Sequence, residues 1–265
     1  MLSAVIRKPL GALLFGLGLL ALPSTAAPLR ASAEYTVTMG GTQVANVTVT
    51  LDDDGSTYSL NGNAKITGLA RLVASGTARL QSSGASTSSG LRAQRFNLLT
   101  RASGEDFTVA ITYASGNVDS FKVDPPIINN IDRVPIERKQ LVGNMNDMAA
   151  AFVLKGDKLD AGLCDRQMQI FTGVERFNLK LSYAKGDEAT SKRTGYQGPV
   201  VLCNVRYTPV SGHYTSSEVT QDLVSRERIL IWYAPLAASG YFIPYRALVT
   251  TESGDLSVVL TSLSQ

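Results

Sequence analysis

The sequence predicts a mainly-β fold: a large curled antiparallel sheet, a β-spiral or half-barrel of about a dozen strands, with one helix plugging or covering its concave face. Three observations carry this. Apolar residues recur at every second position through most of the chain, which is the strand period. Gly, Asp, Asn and Ser clusters separate these runs at hairpin spacing. Helix signals converge in a single stretch, around residues 148–154.

The elements follow in order. Tyr35, Val37 and Met39 alternate with Thr36 and Thr38, and Ala45, Val47, Val49 and Leu51 with Asn46, Thr48 and Thr50. Asp52-Asp53-Asp54-Gly55 then turns the chain. It lacks the Gly and bidentate Glu offsets of a calcium loop and reads as a plain turn. Tyr58, Leu60, Ala64 and Ile66 share the next face, so the opening is a meander with one wet side. Residues 69–74 form a helix or loop at a corner. Residues 76–82 form a strand with Ala78 and Leu80 inward, and the Ser/Gly-rich residues 82–90 read as a turn. Strands follow at 93–101, at Phe107-Val109-Ile111-Tyr113 and at 117–123, the last ended by Pro125-Pro126. Asn144 or Asn146 then caps a helix through Met148, Phe152 and Leu154, closed by Gly156. Its apolar face packs on the sheet or, alternatively, forms a Met-lined lid over a ligand. Phe177, Leu179, Leu181 and Tyr183 begin the last third, and residues 184–198 read as a long loop. Val201, Cys203, Val205 and Tyr207 share a face. Ile229, Ile231 and Tyr233 oppose Leu230 and Trp232 on a strand covered on both sides. Residues 241–251 and 256–264 close the chain as a hairpin.

Residues 1–33 read as an export signal. Arg7 and Lys8 precede an uncharged apolar run over 10–22, and small residues then offer cuts after Ala33 or, alternatively, after Ala26. The run is too short for a bilayer span, which takes about 20 residues, and no second long apolar stretch follows. The expected product is one mainly-β domain over 34–265 in the periplasm. Removing Arg7, Lys8 and Arg30 balances the 25 basic residues against the 22 acids, which argues against a nucleic-acid partner. In an oxidising compartment Cys164 and Cys203 are expected to form a disulfide worth roughly 4 kcal/mol. The alternative, a thiol nucleophile or metal ligand, lacks a C-x-x-C motif and has one histidine, His213, to work with.

No catalytic constellation emerges. His213 has no nucleophile elbow around it, and no metal or cofactor is expected. Paired acids such as Asp187-Glu188 sit in turns. A glycan hydrolase using two carboxylates stays open, since such residues need no sequence proximity. The densest polar cluster is Cys164-Asp165-Arg166, then Phe171-Thr172-Gly173, then Glu175-Arg176-Phe177. In one reading it is a hairpin pinned by Cys164, with Arg166 and Arg176 paired to acids. In the other, the arginines face a groove and hold an anionic head group or peptide.

These residues, with Tyr196-x-Gly198-Pro199-x-x-x-Cys203-x-Val205-x-Tyr207 and the later Ile231-Trp232-Tyr233 and Ile243-Pro244, carry a resemblance over nearly all of 34–265. The chain resembles the family called domain of unknown function 3108, exported proteins of Gram-negative bacteria. In plan it is also similar to periplasmic β-spirals of the EipB type and to lipoprotein carriers of the LolA type. That resemblance implies a curled sheet around an apolar hollow and supplies no catalytic residue to carry over. The expected function is therefore non-enzymatic support of the cell envelope, by binding a lipid, acyl chain or apolar peptide in the concave sheet. Candidate ligand-facing residues are Arg166, Arg176, Met148, Phe152 and Trp232. The alternatives are the two-carboxylate hydrolase and a filled structural scaffold.

Overall fold

The computed structural model describes residues 28–68, 75–128, 131–225, 228–237, 239–251 and 254–265. Most of the expected export signal, residues 1–27, the expected corner at 69–74 and residues 252–253 lie outside the described residues. Seven consecutive strands form a meander: β1 (Leu29–Met39), β2 (Thr42–Asp53), β3 (Thr57–Ile66), β4 (Gly76–Thr87), β5 (Gly90–Ala102), β6 (Glu105–Ala114) and β7 (Asn117–Asp124). Two-residue strands, β8 (Met145–Asn146) and β9 (Leu154–Lys155), interrupt a long irregular segment. A second meander follows in β10 (Arg166–Phe171), β11 (Arg176–Ala189), β12 (Gly198–Ser211), β13 (Ile229–Leu236), β14 (Tyr241–Thr251) and β15 (Gly254–Ser264). β1 pairs antiparallel with β15, which joins the two meanders into one 15-stranded sheet running from β7 through β1 and β15 to β10 and β8.

A sheet this long curls, and its two ends meet. Tyr113 donates to the Phe171 carbonyl at 3.4 Å, and the Phe121 and Phe171 rings pack edge to face with centroids 5.0 Å apart. Gly173 passes so close to the Val109 side chain that a Cβ there would collide with it. Inward positions carry the predicted alternation: Val109, Ile111 and Tyr113 are buried on β6, and Val201, Cys203, Val205 and Tyr207 on β12. Cys164 and Cys203 are wholly buried and disulfide-bonded, with Cα atoms 5.5 Å apart.

Three expectations need correction. First, residues 148–154 are not a helix. The chain makes one 3-10 turn, Ala150–Phe152, and then straightens so that Leu154 and Lys155 pair with Phe242 and Tyr241 of β14. Asp147, not an asparagine, caps that turn, accepting from the Ala149 and Ala150 amides at 2.7 and 2.9 Å. A single turn gains little by itself, and the strand pairing outweighs propensity. The segment still covers the concave face, but through Met145, Ala150, Ala151 and Leu154. Met148 is 39% exposed, and Phe152 is half-buried against the cluster around the disulfide. The α-helix of the described residues is α1 (Glu218–Ser225), whose Ser217 accepts from the Thr220 and Gln221 amides.

Second, residues 82–87 continue β4 instead of turning. Ser82, Gly84 and Ser86 point inward and are buried, and the two hydroxyls bond Asp147 and Lys155 of the segment 141–164, which crosses the concave face. Gly84 also sits at a register shift, where a Cβ would strike the Arg92 carbonyl. Third, residues 185–189 extend β11 opposite 198–202 of β12, so the predicted loop shrinks to 190–197.

Candidate functional site at the sheet seam

The barrel wall closes at one end of β10 and gapes at the other. β10 pairs with β11 along its whole length, but β8 covers its free edge only at Gln169 and Ile170. β8 is a wedge. The Met145 amide donates to Gly116 in the β6–β7 turn at 2.8 Å, and Asn146 Nδ2 donates to the Leu91 carbonyl at 3.3 Å. On the facing side, β6 pairs with β5 only from Arg95 onward, and the two strands part beyond Thr112, where β5 shifts register against β4 at Gln94 and β6 shifts against β7. The start of β5 therefore runs without a strand partner on that side. Between these two strand ends lies a cleft of about 300 Å³. Met145, Leu154 and Met168 give it an apolar floor. Arg92 and Arg166 are among its lining residues, and none of the described lining residues is a carboxylate.

Arg166 is held without an acid. Its Nε donates to the Leu163 carbonyl at 3.1 Å and its Nη2 to the Lys155 carbonyl. Burial pulls its pKa below the ordinary arginine value without threatening its charge. Arg92 is exposed and makes no ion pair among the described residues. Of the five expected ligand-facing residues, Arg166 alone is brought to this cleft. Arg176 is 5% exposed and spends its donors on the Gln140 and Phe177 carbonyls, Asn178 Oδ1 and Gln169 Oε1. Its expected acid partner is replaced by neutral oxygens. Met148 and Phe152 lie on the crossing segment away from the cleft. Trp232 is on β13, where its indole N–H donates to Asp187 Oδ2 at 3.0 Å and Arg246 stacks 5.3 Å from its ring centre.

Behind the cleft, β4 anchors the crossing segment through two buried polar knots. In the first, Ser86 and the Tyr241 hydroxyl donate to Asp53 Oδ2. Lys155 Nζ donates to Ser86 Oγ at 2.6 Å and stands 3.5 Å from Asp53 Oδ2. A serine beside a lysine is the pattern of an activated nucleophile, but this serine donates its O–H hydrogen bond to Asp53 and not to the lysine. Neither residue lines the cleft, and Ser86 is 8% exposed. In the second knot Ser82 donates to Asp147 Oδ2 at 2.5 Å and bonds Tyr58 at 2.8 Å. Asp147 is fully buried, and burial raises its pKa against the lowering effect of its three donors. Composition hid both knots. The usable signal was Ser82, Gly84 and Ser86 at period two.

A second, shallower depression carries Asp160, Asp187 and Glu188 beside Tyr183. Asp160 accepts from the Gly162 amide. The Trp232 N–H holds the Asp187 carboxyl below the usual carboxylate range, the opposite of what a general acid needs. Among the described residues no group of three or more His, Cys, Asp or Glu is arranged to hold a metal.

The family model described as protein of unknown function (DUF3108) matches residues 34–261, from β1 to β15. The chain belongs to the DUF3108 family. No curated protein matches it. Among solved structures it is similar to a β-barrel-like protein of the domain of unknown function DUF1849 from Brucella abortus. That match has 13% identity and a TM-score of 0.47, over 91% of this chain and 98% of the other. The DUF3108 match contains every element of the seam and both polar knots.

The Asp147 knot of this DUF3108 chain yields a pH prediction. Because burial raises its folded pKa above the unfolded value near 4, the folded state holds the proton to higher pH than the unfolded chain. Stability falls as pH rises from about 4 through the folded pKa, and stays lower above it. Asp147→Asn keeps the cap and can donate to Ser82, so it should flatten that fall. Its stability relative to the native chain should rise between pH 4 and pH 7 in urea titrations. Asp147→Ala orphans three donors at about 1–3 kcal/mol each before relaxation. Equal destabilisation of both variants, with no pH trend, would contradict this account.

Proposed function

We propose that this is an exported, non-enzymatic binding protein of the periplasm that supports the cell envelope. Its cleft at the seam takes an apolar ligand with an anionic end, whether lipid, acyl chain or apolar peptide. The observation that carries the reading is the cleft itself. It is an open site of about 300 Å³ with two arginines, an apolar floor and no carboxylate, at the lower end of the usual size for small-ligand sites. The concave face proper is occupied by the crossing segment, so the ligand belongs at the seam.

Export is supported by the buried disulfide, which suits an oxidising compartment. No helix among the described residues is long and apolar enough to cross a membrane. The cut after Ala26 fits better than the one after Ala33. β1 begins at Leu29, and Ala31 and Ala33 are buried opposite Leu51 and Val49. A non-enzymatic role is supported by the engagement of Asp53, Asp147 and Asp187 in structural bonds.

Native mass spectrometry of the oxidised protein from its own host tests the reading. A bound ligand removed by organic solvent, and depleted at least tenfold in Arg166→Gln, is the expected result. Ligand-free protein in repeated preparations that also fails to bind added dodecanoate or carboxylate-ended peptides would overturn it.

A further inference from the structure

The seam is bounded by two strand edges that no strand among the described residues covers. Residues 91–94 of β5 have β4 on one side and no strand on the other, since β6 pairs only from Arg95. Residues 166–168 of β10 have β11 on one side and lie short of the β8 pairing at Gln169. Among the described residues no other backbone–backbone bond is seen to either stretch. Both edges line the same cleft. The wedge between them is itself incompletely bonded. Asn146 reaches Leu91 through its Nδ2, while its Oδ1 is buried without a partner among the described residues.

We propose that the occupant is an extended peptide segment of a partner protein, carrying a carboxylate, which adds to this seam as a short strand. This rests on the reading of the cleft as the binding site and names the class of its ligand. Two physical arguments favour a peptide over an acyl chain. Strand edges present rows of N–H and C=O groups, and a hydrocarbon laid over them would desolvate these groups without bonding them. A peptide strand bonds them and is recognised mainly through its backbone. The charge is also complementary, since Arg166 and Arg92 are among the lining residues and none of those described is an acid, and guanidinium forks suit a carboxylate. The exposed edges allow about four residues of contact, roughly 13 Å of strand. Alternate side chains would drop onto Met145, Met168 and Leu154, with the others in solvent.

The test uses the full oxidised chain and a library of five-residue peptides, randomised at three positions and ending in a free carboxylate. Enriched peptides are then measured by calorimetry as the acid, as the C-terminal amide, and with N-methyl groups on either alternating set of residues. Expected are a tenfold or greater loss on amidation and on one N-methyl set but not the other, with slowed amide exchange at 91–94 and 166–168. Arg166→Gln should lose binding similarly. Because Arg166 also holds two carbonyls of the crossing segment, the exposed Arg92→Gln serves as the second variant, with a loss of several-fold and an unchanged melting curve. Binding indifferent to N-methylation, or no enrichment over Arg166→Gln, overturns the strand proposal. If dodecanoate binds in an Arg166-dependent way while no peptide does, the cleft remains a ligand site and only the peptide is wrong. If neither binds, both readings fall.

Discussion

Lys155→Met is expected to lower the unfolding free energy by about 3–5 kcal/mol, the usual cost of leaving one partner of a buried ion pair alone. Asp53 has 3% of its side chain exposed and Lys155 16%, so the pair is poorly screened by solvent. Without Lys155, Asp53 keeps the Gly55 amide, Ser86 and Tyr241 as neutral donors and must hold a charge among them. Lys155 also lies 4.5 Å from the centre of the Tyr241 ring, a contact that methionine replaces only in part. The double variant Asp53→Asn/Lys155→Met removes the stranded charge and should recover most of the loss. Urea titration of both variants measures this. Limited proteolysis adds a local readout, because Lys155 ties the crossing segment to β2, β4 and β14 together. In the single variant, cleavage within 141–164 should precede cleavage of the sheet. A loss below about 1 kcal/mol, or a double variant no better than the single, would show that the knot does not hold the segment.

The strands were legible wherever one face is apolar and the other wet. Phe107 to Tyr113 alternate with polar or small residues, and the structure buries that face. Cys164 and Cys203 were equally legible, because compartment and count leave little else for two cysteines to do. What escaped reading is polar and interior. Residues 82–87 look like a turn by composition, yet they are a strand because Asp53, Asp147 and Lys155 need small hydroxylated partners inside the barrel. Those three come from β2 and the crossing segment, and nothing local in the sequence joins them to β4. The 3-10 turn at Ala150–Phe152 was overread as a helix for the converse reason. Its alanines favour helix locally, while the pairing of Leu154 and Lys155 with β14 is decided far along the chain.

The seam was legible in one residue and not as a site. Arg166 stood out beside Cys164, but the cleft exists because β6 parts from β5 beyond Thr112, where both strands carry register shifts. A place where neighbouring strands part appears only once register is known. The same holds for Arg176. Its surroundings in sequence resemble those of Arg166, yet it turns inward to four neutral oxygens, so two arginines ten residues apart have unrelated roles.

Replacing both cysteines by serine is expected to cost about 4 kcal/mol, from the chain-entropy model for a separation of 39 residues. For a chain of this size that corresponds to a Tm lower by roughly 10 °C. The location of the bond makes a more specific expectation. Cys164 ends the crossing segment two residues before β10 begins, and Cys203 lies in the middle of β12. β11 separates those strands in the sheet, so the bond spans the concave side and fixes the start of β10 at the height of the cleft. Arg166 depends on that position, since it holds the carbonyls of Leu163 and Lys155 on either side. Loss of the disulfide should therefore loosen the edge at 166–168 before it unfolds the sheet. Amide exchange there should accelerate at temperatures well below the Tm, while β1 to β3 stay protected. Both sulfurs belong to fully buried residues, so a reductant should release thiols only at the rate of this opening. Two free thiols in natively folded, oxidised protein would refute the bond. Uniform acceleration across the whole sheet would leave the bond standing but remove its link to the seam.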